Sequence, residues 1–98
     1  MTKADLVEQV AEAIGPGITK RDCALVVDGF INAVKHALAG GHSIEIRGFG
    51  TFKVRQRRER MARNPRTGEP VRVPARSTPV FKPSKYLRAR VADLDPEA

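Results

Sequence analysis

Residues 55–70 read Arg-Gln-Arg-Arg-Glu-Arg-Met-Ala-Arg-Asn-Pro-Arg-Thr-Gly-Glu-Pro and hold six arginines with one large apolar side chain, Met61. A stretch so poor in apolar groups cannot offset the entropy of ordering by burying itself, so it must project into water or onto a partner. At its centre stands Asn64-Pro65-Arg66-Thr67-Gly68. Asn64 suits the first position of a tight turn, Pro65 the second, and Gly68 a following position at positive φ. The flanks, Thr51-Phe-Lys-Val-Arg55 and Val71-Arg-Val-Pro-Ala-Arg76, are β-prone. The pattern predicts a two-stranded basic ribbon with a proline at its tip, free to touch something else.

Charge is segregated in the same sense. Residues 1–46 carry four Lys/Arg against six Asp/Glu, residues 47–90 carry fourteen against two, and residues 91–98 add three acids, for a net charge of +7. One half of the molecule therefore has the electrostatic footprint of a polyanion binder. A generally basic, merely solubilising surface would not be so segregated. Ninety-eight residues make one domain. If the ribbon stands apart, the remaining core is small, and oligomerisation is one common remedy.

The helical part is marked by its ends. Thr2-Lys-Ala-Asp5 has the form of a capping box. Leu6, Val7, Val10 and Ile14 follow at helical spacing, and Gly15-Pro16-Gly17 stops the run. Thr19-Lys-Arg-Asp22 repeats the signal for a longer helix reaching about Ala39, ended by Gly40-Gly41. Its apolar positions include Leu25, Val26, Val27, Phe30, Ile31, Val34 and Leu38, which cover more than one stripe. So wide a face predicts burial on two sides, one against the first helix. The other side is covered either by a second copy of the chain or by strands of the same chain. A helix-turn-helix reader is disfavoured because the second helix exposes few side chains that could read a major groove.

His42–Arg47 alternates as a half-buried strand with Ile44 and Ile46 inward, and Gly48-Phe49-Gly50 breaks it before Thr51. Phe49, Phe52 and the returning Phe81 are expected in the core, since an aromatic at a strand–turn junction usually packs. A stacking platform for single-stranded bases would need exposed aromatics among basic residues, and four Phe and one Tyr leave little for one. Pro70, Pro74 and Pro79 on the return strand fit an edge, where no ladder donor is needed. Pro83 and Ser84 open a last short helix, with Tyr86, Leu87 and Val91 on one side and Lys85, Arg88 and Arg90 on the other. The tail from Asp93 is acidic, and fraying is expected there.

Catalytic constellations are missing. Cys23, His36 and His42 are too few and too scattered for a zinc site. Cys23 sits among apolar helix neighbours as an inert buried thiol, and a single cysteine excludes an intrachain disulfide. No phosphate-cradling Gly-x-x-x-x-Gly-Lys motif occurs. No apolar run reaches the roughly 20 residues that span a bilayer, and Met-Thr-Lys-Ala-Asp lacks the apolar core of a signal peptide. The expectation is a cytoplasmic protein that is not an enzyme, with no cofactor, no metal, no membrane and no small-molecule substrate.

The order helix, helix, strand, Gly48-Phe-Gly-Thr-Phe52, basic ribbon, Arg63-Asn-Pro-Arg-Thr-Gly68, Phe81-Lys-Pro83, helix resembles the bacterial HU and integration host factor family over residues 2–91. Ile44-Glu-Ile-Arg-Gly-Phe-Gly50 and Phe81-Lys-Pro83 lean toward the integration host factor β-subunit. The resemblance implies an α+β fold. A helical dimer body would carry a three-stranded antiparallel sheet that extends into a β-arm. As one domain over 1–98, it would comprise a body and first strand (1–50), an arm (51–82, tip 63–68), a C-terminal helix (83–92) and an acidic tail (93–98). Leu25, Phe30, Ile31, Val34, Ile44, Ile46, Phe49, Phe52 and Phe81 would form the core or the dimer seam. The resemblance also implies double-stranded DNA as partner, a homodimer or a heterodimer with a paralogue, and association with the nucleoid.

By the same resemblance Pro65 is the wedge that kinks DNA from the minor groove, a mode for which this family is itself the standard instance. Arg63, Asn64 and Arg66 would reach groove edges and phosphates beside it. Lys53, Arg55, Arg58 and Arg60 would line the arm, with Arg72 and Arg76 on the return strand. Arg47, Lys82, Lys85 and Lys3 would hold phosphates along the body. Two positions depart from the usual pattern: Ala62 and Ser84 stand where glycine is common. Binding should be strongly salt-dependent with weak sequence preference. The rival functions are a site-selective bender in recombination or transcription, an RNA-binding basic protein, and a structural oligomer whose ribbon binds proteins.

Overall fold

A computed structural model describes residues 1–94 of the chain; the expected fraying of the acidic tail falls largely on residues 95–98, outside the described part. Two compact units are present, Met1–His36 and one from Ala37 onward.

The first unit is helical. α1 (Lys3–Ile14) begins where the Asp5 carboxylate accepts from the Thr2 amide at 2.8 Å, and it ends with the Gly15 amide on Ala11 O at 3.0 Å. Thr19 caps α2 (Lys20–Ala39): its Oγ1 accepts from the Asp22 amide at 3.0 Å. Both helix starts lie where the capping sequences place them. Two ion pairs tie α1 to α2, Lys3–Asp28 and Lys20–Glu8, each at 2.7 Å. Val7 and Cys23 are buried here.

The second unit begins as α2 ends, where His42 N bonds Ala37 O at 3.0 Å and Gly41 N bonds Leu38 O at 3.0 Å, the paired bonds of a Schellman stop. β1 (Ile44–Ile46), β2 (Gly50–Arg57) and β5 (Arg76–Pro83) form an antiparallel sheet in the order β1-β2-β5, and β3 (Arg60–Arg63) pairs with β4 (Pro70–Val73). α3 (Lys85–Ala92) closes the unit.

Gly50 is buried because nothing larger fits: a Cβ there would lie 2.6 Å from the Lys82 carbonyl oxygen and 2.6 Å from the Phe81 ring. That close approach lets Phe52 and Phe81, directly opposed across β2 and β5, bring their ring centroids to 4.8 Å, with Phe49 5.0 Å from Phe81. The three rings make one cluster.

Four of the residues expected in the core or the dimer seam are left open by the single chain. Leu25, Phe30, Phe49 and Phe81 are exposed in the single chain, at 62%, 54%, 43% and 39%. Ile31, Val34, Ile44, Ile46 and Phe52 are half-buried. The physical reason is the one composition supplies: a chain that spends residues 55–76 on a ribbon has too little left to enclose its larger apolar side chains.

Candidate nucleic-acid interface

The ribbon is built from β2, β3, β4 and β5, and its two halves share one register. Every opposed pair from Gly50↔Pro83 to Arg57↔Arg76 continues in step through Arg60↔Val73 to Arg63↔Pro70, with residues 58–59 and 74–75 left out of the ladder. Proline explains the gap. In the inner half, Ser84 N donates to Phe49 O, so alternation leaves Pro83 and Pro79 at pairs where no amide is asked to donate. Continued in that phase, Pro74 would be asked for a donor it lacks. The ladder gives out there and resumes in the other phase, shown by Asn64 N on Glu69 O at 2.9 Å, in which Pro70 also escapes donation.

Alternation along the inner half puts Lys53, Arg55 and Arg57 of β2 on one face with Arg76 and Lys82 of β5. Arg55, Arg57, Arg76 and Lys82 are exposed and Lys53 is half-buried. Arg57 and Arg76 stand directly opposite one another. Like charges so placed repel, and an anion between them would relieve it. Arg57 was absent from the sequence-derived set, although its spacing of two from Arg55 signals the shared face. Arg58 lies in the ladder gap and Arg60 opens β3, both exposed.

At the tip, Gly68 N bonds Asn64 O at 2.7 Å, and Asn64 Oδ1 accepts from the Arg66 amide at 2.9 Å. Gly68 has φ 74°, the left-handed value that its place in the loop requires. Arg63 Nη1 reaches across to Gly68 O at 3.3 Å. Asn64 is thus half-engaged in holding the loop, while Pro65 and Arg66 are exposed. Ala62 pairs with Val71 in the regular ladder, and among the described residues none other than glycine has positive φ, so the missing glycine leaves the backbone unstrained.

A second basic cluster forms where the β1–β2 turn meets α3. Ser84 N donates to Phe49 O at 2.9 Å, Ser84 Oγ donates to Gly48 O at 3.0 Å, and the same oxygen accepts from Leu87 N at 3.1 Å. Ser84 therefore caps α3 and pins the turn to it. A cleft there is lined by Arg47, Lys82, Lys85 and Arg88. Arg88 was also missed from sequence; it stands one helical turn after Lys85.

Two expected residues are already engaged in ion pairs. Lys3 belongs to the helical unit, and its ammonium is paired with Asp28. Arg72 grips Glu59 with two contacts, Nε to Oε1 at 2.6 Å and Nη2 to Oε2 at 2.9 Å. Among the described residues no group of three or more metal-binding side chains occurs, and no helix is long and apolar enough to cross a membrane.

Many known proteins are similar to this chain. The family profile described as Bacterial DNA-binding protein matches residues 1–92. Integration host factor subunit beta of Methylococcus capsulatus is 47% identical over 94 residues, 96% of this chain and 98% of its own length. DNA-binding protein HU of Thermus thermophilus is 45% identical over 91 residues, 93% of this chain and 92% of its own. The Anabaena HU–DNA cocrystal structure superposes with a TM-score of 0.85 at 34% identity, covering 96% of this chain and all of that one. Integration host factor subunit alpha of Aliivibrio salmonicida is 43% identical over 97 residues, 99% of this chain and 97% of its own length, so identity differs by only a few per cent among the beta, HU and alpha relatives, too little to choose between them.

Proposed function

The chain belongs to the bacterial DNA-binding protein family, and from that premise we propose that it is a non-enzymatic architectural dimer whose arms clasp duplex DNA and bend it. The observation that carries this reading is the ribbon: a basic face ending in an ordered turn that leaves Pro65 exposed. Residues 1–50 serve as the dimer body and first strand, 51–82 as the arm and 83–92 as the last helix. Leu25, Val26 and Phe30, exposed on α2, supply the seam between copies.

Bending DNA costs on the order of 1–6 kcal/mol for a moderate smooth bend. A wedge at Pro65 localises the bend at an unstacked step, and arginines along the arm recover the cost through phosphate contacts and counterion release. Lys53, Arg55, Arg57, Arg58, Arg60 and Arg76 hold the backbone along the arm, and Arg63, Asn64 and Arg66 work beside the wedge. Arg47, Lys82, Lys85 and Arg88 take flanking phosphates at the turn and α3. Because minor-groove edges distinguish mainly A·T from G·C, the protein acts as a general compactor of the nucleoid with weak sequence preference.

The test is energy transfer between dyes on the ends of a short duplex, for wild type and Pro65→Ala, on random and A·T-rich DNA. Wild type should bring the ends together, and Pro65→Ala should bind with similar affinity while bending less. An unchanged end-to-end distance in the variant removes the wedge. A strong preference for one duplex replaces the general compactor with a site-selective bender.

A further inference from the structure

We propose that Glu59 is a positioning residue that locks the ribbon at its one gap, through Arg72, and so sets how rigidly the tip is presented. Between Arg57↔Arg76 and Arg60↔Val73 the strands share no ladder pair, and the bonded phase changes across that gap. Two strands without ladder bonds can splay or twist there at little cost. Glu59 lies inside the gap, and its carboxylate is held at both oxygens by the Arg72 guanidinium of the opposite strand. Among the described residues this is the one ion pair in the strand-bearing unit. Planar two-point pairing fixes orientation as well as distance, which a single-point contact would not do. The acid is also out of keeping with its surroundings: on an arm for a polyanion, Glu59 occupies one arginine and subtracts a charge. A residue chosen for affinity alone would not do either.

The consequence for DNA rests on the bending reading above, but the lock is measured on the free protein, so the two fail separately. Millisecond hydrogen exchange by NMR would follow the amides of Arg60–Arg63 and Val71–Val73 in wild type, Glu59→Gln, Arg72→Gln and the swap E59R/R72E. The side chains are 49% and 71% exposed, so the pair is worth little to the fold and each variant should remain folded. Exchange in each single variant should rise about two- to fivefold, the factor a cross-strand charge pair of this kind supplies. The swap has the wild-type net charge and should restore the wild-type rate. On DNA, Glu59→Gln gains a free arginine and should bind more tightly, with a steeper salt slope, yet bend less. Unchanged exchange in Glu59→Gln, or a swap as fast as the single variants, would overturn the lock. Wild type that fails to bend DNA would refute the bending reading and leave the exchange result standing.

Discussion

Truncating Phe30 to alanine separates a lone folded chain from a dimer by magnitude. Phe30 keeps 54% of its surface open in the single chain. Burying a whole phenylalanine side chain is worth about 1.5–3 kcal/mol, so the part covered within the chain is worth roughly 1 kcal/mol. If a second copy covers the rest, the loss rises to about 3–5 kcal/mol, with the cavity included. The difference, at least about 2 kcal/mol per protomer, counts twice in a symmetric dimer. At tenfold per roughly 1.4 kcal/mol, the dissociation constant should rise by about a thousandfold or more. Sedimentation across a dilution series reads that shift directly. Thermal melts of the wild type over the same series should show a concentration-dependent midpoint, as linked association requires. A wild type that melts independently of concentration, with a Phe30→Ala cost of only about 1 kcal/mol, would place Phe30 on a free surface and refute the seam.

Two further outcomes test the local readings. Gly50→Ala should destabilise by about 1–3 kcal/mol in urea unfolding, toward the upper end because one of the atoms its Cβ meets is a backbone oxygen that cannot swing away; a near-neutral result would mean the sheet gives way easily beside Phe81. The Glu8 carboxyl is held below its ordinary 4.5 by the hydrogen bond from Lys20 and then by the charge of that ammonium, so Lys20→Ala should return its NMR titration to about that value. Because the folded value is the lower one, the pair's small contribution is present above the ordinary value and fades as pH falls through the lowered one. Lys20, raised above 10.5 by the same partner, loses its share only as pH climbs through that raised value. An unmoved Glu8 titration in Lys20→Ala would show that the pair does not persist in solution.

What the sequence determined by itself was local. Capping at Thr2 and Thr19, the stops after Ile14 and Ala39 and the Asn64–Gly68 turn all rest on residues within a few positions of one another. Their conformations follow from hydrogen bonds and steric limits that neighbours alone impose. The tertiary structure decided what depends on distant partners. Ser84 reaches back thirty-six positions to Gly48, and this joins Arg47 to Lys85 and Arg88 in one cleft. Pro74 breaks the ladder because of the phase inherited from strands opposite it, and Arg72 is taken by Glu59 across the gap that results. Phe49 and Phe81 look like core residues in sequence and are left part-open, because burial is a sum over the whole chain and so much of this chain is spent on the arm.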